Sequence, residues 1–289
     1  MGENNYRMIA IDLDGTLLSP SGEVTARVKQ AVRKALDAGL LVCFATGRNW
    51  TESRTVLEAV EHYDSAVFVG GAMVVDTKKQ IVLHRMMMQP DLARELSAHF
   101  EAAGHAVLAL QDTTTAGFDY LVTGDLPVNG ETERWMQITA AKIRKVPRLA
   151  THPHDHTVRI GIVAPPDATA KMKWSLNETF RDRIVCHGLF VPAYNVEVLE
   201  AFDPAVNKWE GVKLVAARHG IAEDQIVAIG DDVNDLPMIA QAGLGVAMGN
   251  ARPEVLAIAK RVIGTNADEG LAEFLEELVE THAVQPLAE

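Results

Sequence analysis

Only two cysteines, Cys43 and Cys186, occur in the 289-residue chain. Cys43 lies inside the apolar run 40–45, so a buried free thiol is expected there, which argues against a disulfide-stapled scaffold. Positive charge is in deficit, with 27 Lys and Arg against 39 Asp and Glu and a net charge of −12. That balance argues against nonspecific binding to nucleic acid or an anionic membrane. No apolar stretch approaches the roughly 20 residues a membrane span requires. The first six residues are polar and lack the hydrophobic region of a secretory signal. Internal repeats and low-complexity tracts are absent as well. A soluble cytoplasmic protein is the expectation, with no nucleic-acid and no membrane partner; the oligomeric state is left open. What is present is an apolar content of 48%, in a chain long enough for two domains.

The chain is organised around Asp12-Leu13-Asp14-Gly15-Thr16. It follows Met8-Ile9-Ala10-Ile11, which reads as a buried strand broken by Gly15. Two carboxylates therefore stand at the carboxyl end of a strand, where open α/β sheets place their ligands. Residues i and i+2 of an extended segment point the same way, so both can face one small site. Their mutual repulsion would be relieved by a hard divalent cation such as Mg2+. A carboxylate can also attack phosphorus to give an aspartyl phosphate. Taken alone, the pentapeptide reads equally well as an acidic turn.

Downstream, 25–38 has helical periodicity closed by Gly39, and 40–45 is a second strand ending at Thr46-Gly47-Arg48. A helix over 51–61 and a strand over 66–69 follow. This alternation predicts an α/β fold with a doubly wound parallel sheet. Residues 73–75 and 81–83 read as a hairpin. Past Arg85 the pattern changes to helices over 90–103, 131–142 and 167–180, with strands over 105–110, 118–122, 158–163 and 184–187. That mixture predicts an inserted α+β domain. The main sheet is expected to resume with strands over 196–202, 225–229 and 245–248, a helix from Lys208, and a last strand near Val262. The domain reading is therefore core over 1–85, an inserted α+β domain over 86–190 and core again over 191–289.

Asp12, Asp14, Thr46 and Asp231 stand at strand ends that a parallel sheet brings to one edge, and Lys208 opens a helix. Thr46-Gly47 alone is an ordinary strand-to-loop transition, Lys208 alone a solvated helix residue, and Gly230-Asp231-Asp232 alone an acidic turn. Together they contain what phosphoryl transfer needs: a carboxylate nucleophile, a second carboxylate for proton transfer, a metal-binding acid, and donors for phosphate oxygens.

With 12–17, Thr46-Gly47-Arg48, Asn207-Lys208, 230–235 and the trailing 242–251, the chain resembles the haloacid dehalogenase superfamily of phosphatases, and most of all its Cof-type hydrolases. The resemblance implies a Rossmann-like core with an inserted α+β cap that closes over it and selects the leaving group. It implies a Mg2+-dependent hydrolase of small phosphomonoesters, such as sugar phosphates or phosphorylated cofactors. A phosphomutase-like phosphotransferase and a noncatalytic sugar-phosphate sensor are the alternatives. Asp12 would be nucleophile and metal ligand, and Asp14 the general acid/base, lending the metal its backbone carbonyl. Asp231 would complete the metal site. Thr46, Gly47, Lys208 and Asn234 would bind the phosphoryl group, and Asp235 would orient Lys208 or a water on the metal. Arg48 would either contact substrate or pair with a core carboxylate, and the pairing is the preferred reading. Gly70 stands where many relatives carry asparagine, a change expected to loosen a loop or free space for substrate. Within the cap, Phe118, Tyr120, Arg159, His187 and Tyr194 are candidate substrate contacts, read more readily as core. His152-Pro153-His154-Asp155-His156 reads as a solvated loop rather than a metal cluster, and Lys142–Arg148 as an exposed basic face.

Overall fold

The computed structural model describes residues 5–62, 64–191 and 196–281. In chain order the first elements are β1 (Met8–Ile11), α1 (Ala26–Asp37), β2 (Leu41–Phe44), α2 (Trp50–Ala59), β3 (Ser65–Phe68), β4 (Met73–Asp76) and β5 (Ile81–Arg85). Then come α3 (Pro90–Ala102), β6 (Leu108–Gln111), α4 (Thr113–Ala116), β7 (Tyr120–Thr123), α5 (Gly130–Ile138), β8 (Ile143–Val146), β9 (Thr157–Ala164), α6 (Pro166–Phe180), β10 (Val185–Val191) and β11 (Val196–Phe202). The chain continues through α7 (Lys208–Arg218), β12 (Ile226–Gly230), α8 (Leu236–Gln241), β13 (Leu244–Ala247), α9 (Pro253–Ile258), β14 (Arg261–Val262) and α10 (Gly270–Thr281). Two compact units result, Met1–His84 with Asn207–Glu289, and Arg85–Val206.

The first unit holds a parallel sheet in the order β14-β13-β12-β1-β2. All four residues of β1 are buried, as expected of a strand paired on both sides with both faces covered. A parallel bridge between Ala45 and Val67 brings β3 alongside β2, and β3-β4-β5 form a small sheet of their own. The Thr25 side chain caps α1 by accepting from the Val28 amide, and Val28, Ala31, Val32 and Ala35 make its buried stripe. Register brings Ile11, Ile229 and Phe44 level. The Asp12 amide then donates to the Ile229 carbonyl at 3.0 Å, and the Thr46 amide to that of Val67 at 2.9 Å. The strand-end residues 12, 46 and 231 thus share one sheet edge.

The second unit is a six-stranded sheet, β10-β11-β9-β6-β7-β8, with α3 and α6 over one face. Leu96, Phe100, Ile160, Ile162, Leu176 and Leu199 fill the core between them. Three sequence expectations change here. The strand over 196–202 belongs to this sheet, antiparallel to both β9 and β10, so the unit runs to Val206 instead of ending at 190. An apolar strand does not announce its sheet, and antiparallel pairing with the neighbouring β10 needs only a short connection. For the same reason β10 reaches Val191, well past the expected His187. The basic stretch is exposed at Arg144 and Lys145 as expected, but it forms the edge strand β8, where charges discourage further pairing. Among the described residues no helix is long and apolar enough to cross a membrane.

Candidate active site

Immediately after β1 the chain turns back on itself at Gly15, whose φ is +77°. The Leu17 amide donates to the Asp12 carbonyl at 3.2 Å, closing the turn. This leaves the Asp12 carboxylate buried at the sheet edge. The Lys208 ammonium donates to Asp12 Oδ1 at 2.6 Å and to Asp235 Oδ1 at 2.7 Å. Lys208 is only 1% exposed and Asp235 fully buried. Asp235 Oδ2 in turn accepts the amides of Asp231 and Asp232 at 3.0 and 3.1 Å. Thr16 Oγ1 donates to Asp231 Oδ1 at 3.0 Å. Lys208 comes not from the end of a core strand but from the first turn of α7, where the Asn207 side chain accepts from the Glu210 amide.

Asp12, Asp231 and Asp235 each offer a carboxylate oxygen within 4.8 Å of the others. Burial drives the Asp12 carboxyl well above the ordinary range, and the charge of Asp235 adds to this against the pull of Lys208. Asp231 is pushed up to about 7, by burial first and then by Asp235. Burial works against the Lys208 ammonium, but Asp12 and Asp235 outweigh it and hold it above its ordinary value. Crowded, desolvated carboxylates with a single cation among them suit a hard divalent metal, and Asp12 and Asp231 fit as its ligands. Asp235 fits less well: its two oxygens are already taken by Lys208 and by two amides, so it positions its neighbours. The side chain of Asp14 is not in this group. Arg48 grips it through two hydrogen bonds, Nε to Oδ2 at 2.8 Å and Nη2 to Oδ1.

Thr46 is buried, and its Oγ1 accepts the Arg48 amide at 3.1 Å. The bare Cα of Gly47 leaves room beside Asn234: a Cβ there would lie 3.8 Å from Asn234 Nδ2. Among the described residues, Asn234 Oδ1 is buried without a hydrogen-bond partner. Thr46, Gly47 and Asn234 therefore lie beside the acidic cluster. The loop containing Gly70 is tied to the end of β2 through its backbone. The Gly70 amide donates to the Thr46 carbonyl at 3.0 Å and the Val69 amide to that of Arg48 at 2.9 Å. Gly71, at φ +110°, sits so close to Asn207 that a Cβ would fall 2.0 Å from its carbonyl oxygen.

Of the second unit's candidates, Arg159 pairs with Glu200 at 2.6 Å and donates to the Tyr120 hydroxyl at 3.1 Å. Tyr120 also meets Trp135 edge-on, His187 lies tilted against the Phe202 ring, and Arg144 lies over the Phe118 ring. Tyr194 is outside the described residues. In the histidine-rich stretch His154 departs from the solvated-loop expectation: it is buried, with Nδ1 bonded to Thr157 Oγ1 and Nε2 to the Leu149 carbonyl. Sequence reading gave Gly15 only the role of ending the strand and gave Thr16 no role in the site, although both lie inside the quoted motif. A Cβ on Gly15 would sit 2.1 Å from Asp231 Oδ2. Gly15→Ala therefore combines a left-handed backbone with a collision inside the site. Thermal melts should show a loss of about 2–4 kcal/mol, together with loss of activity; an active variant of wild-type stability would contradict this packing.

A family model for haloacid dehalogenase-like hydrolases matches residues 9–275. The 5-amino-6-(5-phospho-D-ribitylamino)uracil phosphatase YitU of Bacillus subtilis is 26% identical, over 95% of this chain and 98% of its own. An HMP-PP phosphatase of an Enterobacter species is also 26% identical, over 93% of this chain and 94% of its own. Among solved structures, a protein of Thermotoga maritima superposes with a TM-score of 0.77 at 25% identity, covering 94% of this chain and 97% of its own. A haloacid dehalogenase subclass IIB sugar phosphatase superposes with a TM-score of 0.79 at 18% identity, covering 94% and 98%, and shares the fold.

Proposed function

This chain belongs to the haloacid dehalogenase-like hydrolases and is an enzyme of their phosphatase class; from that premise we propose that it hydrolyses small phosphomonoesters with Mg2+, through an aspartyl phosphate on Asp12. The observation that carries the reading is the buried chain Asp12–Lys208–Asp235, with Asp231 beside it at the carboxyl edge of a parallel sheet. Asp12 Oδ attacks phosphorus while the bond to the leaving-group oxygen breaks, and Asp14 gives that oxygen a proton. Asp14 then takes a proton from the water that attacks the aspartyl phosphate, releasing phosphate and restoring Asp12. For this Asp14 must exchange its Arg48 partner for the reacting oxygen. Lys208 holds the nucleophile in place and offsets charge on the phosphoryl group. Thr46, Gly47 and Asn234 supply donors to its oxygens. Mg2+, held by Asp12, Asp231 and the Asp14 carbonyl, would supply charge neutralisation at the phosphoryl oxygens. The relatives are named as phosphatases of small phosphorylated compounds, which supports a small phosphorylated substrate, and within that class we propose sugar phosphates or phosphorylated cofactors. A cytoplasmic location is part of the same proposal, and the free thiols of Cys43 and Cys186 are compatible with a reducing compartment.

Phosphate release from a panel of phosphomonoesters, with Mg2+ and with EDTA, tests the reading. Release that requires the metal is the expected result. Transfer that needs a bisphosphate activator would replace hydrolysis with phosphomutase chemistry. Folded, Mg2+-binding protein without any turnover would replace it with sensing.

A pH effect on metal binding follows from Asp231. Its folded carboxyl titrates near 7, above the ordinary 3.8, so the metal-free protein holds a proton there that the unfolded chain has released. That contribution to stability is full below the ordinary carboxylate range and is lost as pH rises through about 7. Protons compete with the metal at the low end. The melting-temperature increase given by Mg2+ should therefore be larger near pH 8 than near pH 6, and an increase independent of pH would count against Asp231 as a ligand.

A further inference from the structure

We infer that Asn250 is a positioning residue that sets the spacing between the two halves of the acidic site, the Asp12–Thr16 turn and Asp231. The inference rests on the phosphatase reading above. Residues 248–252 touch both halves. The Met248 amide donates to the Gly230 carbonyl at 3.1 Å, and the Arg252 amide to the Asp231 carbonyl at 2.8 Å. These bonds fix the segment to the Asp231 side. Its side chain at 250 then reaches the other side, with Asn250 Nδ2 donating to the Gly15 carbonyl at 2.8 Å. The carboxamide cannot swing freely, because its Oδ1 accepts the Asn266 amide at 2.9 Å. Asn266 in turn uses its own side chain on the same turn, donating Nδ2 to the Leu18 carbonyl at 2.8 Å. Two asparagines from separate loops thus grip the turn at Gly15 and Leu18, on either side of Thr16.

The turn has little freedom to drift unnoticed. Gly15 packs so tightly on Asp231 that no side chain fits between them, and Thr16 Oγ1 donates to Asp231 Oδ1. A shift of the turn therefore moves Asp12 relative to Asp231 and disturbs the Thr16 bond. The side-chain hydrogen bonds of Asn250 go to Gly15 and Asn266, not to the nucleophile or to the residues proposed to bind phosphate. Its effect must run through the geometry of Asp12 and Asp231, and so through metal affinity and kcat rather than KM.

The test combines calorimetric titration of Mg2+ alone into Asn250→Ala and Asn266→Ala with steady-state kinetics and thermal melts. Asn250 is exposed and Asn266 half-buried, so both variants should fold. The expected result for Asn250→Ala is Mg2+ binding weaker by about tenfold and kcat lower by about 10- to 100-fold, with KM near wild type. Asn266→Ala should move the same quantities, and the double variant should be little worse than Asn250→Ala, because the two act as one relay. Asn250→Asp keeps an acceptor for the Asn266 amide but loses the donor to Gly15, and should resemble Asn250→Ala. Wild-type Mg2+ affinity in Asn250→Ala overturns the inference, as does a loss of kcat explained by a lower melting temperature. Wild-type protein that binds Mg2+ yet hydrolyses no phosphomonoester defeats the functional reading alone, since the Mg2+ titration still reads the spacing.

Discussion

Asp12→Asn should lower kcat by at least about 10,000-fold while leaving the protein folded. Asparagine keeps the shape of the side chain but has no anionic oxygen to attack phosphorus. The fold should not suffer. Asp12 is a buried carboxylate raised by desolvation and by Asp235, Asp231 and Asp14, so removing its charge relieves repulsion. Lys208 keeps its partner in Asp235. Melts of the metal-free variant should therefore match or exceed those of the wild type. Phosphate release with Mg2+ measures the rate, and a near-normal value would remove Asp12 from the role of nucleophile.

Lys208→Met should produce the largest loss of stability, about 3–5 kcal/mol, and abolish turnover. Methionine fills much of the same space, so the effect is chiefly electrostatic. Lys208 bonds at 2.6 and 2.7 Å to two carboxylates that are themselves buried. Without the ammonium, Asp12 and Asp235 face each other and Asp231 without the cation that bonds both. Adding Asp12→Asn to Lys208→Met should restore part of the lost stability, because one of the stranded charges goes with it. Denaturant melts of the two single variants and the double variant measure the coupling. Strict additivity would mean that the short Lys208–Asp12 contact contributes nothing.

The parallel core was legible because its evidence is local. Met8–Ile11 and Ile226–Gly230 are short buried runs ended by acidic or glycine-containing turns, and register alone brings their ends level. Asp12, Thr46, Asp231 and Lys208 could be gathered from that pattern. The route of Lys208 could not. The strand over 196–202 has the composition of a core strand, and only its long-range pairing with β9 shows which sheet it joins. The Asp14–Arg48 grip was anticipated as a pairing of Arg48 with a core carboxylate, but not the particular partner. Asp235 was read as an orienting residue, and its bonds to Lys208 and to two amides have that form. His154 escaped because a polar, proline-containing stretch gives no hint that one of its histidines turns inward at φ +61°. The Asn250–Asn266 relay escaped because three distant loops meet there, and nothing at position 266 marks it in sequence.

The central claim is a covalent phosphoryl group on Asp12. The most direct measurement is an acid quench during turnover of a phosphomonoester substrate, followed by peptide mapping by mass spectrometry. The account predicts a phosphoryl group on the peptide that carries Asp12, absent from Asp12→Asn. Turnover with a phosphoryl group on another residue, or on none while Asp12→Asn remains active, would contradict it.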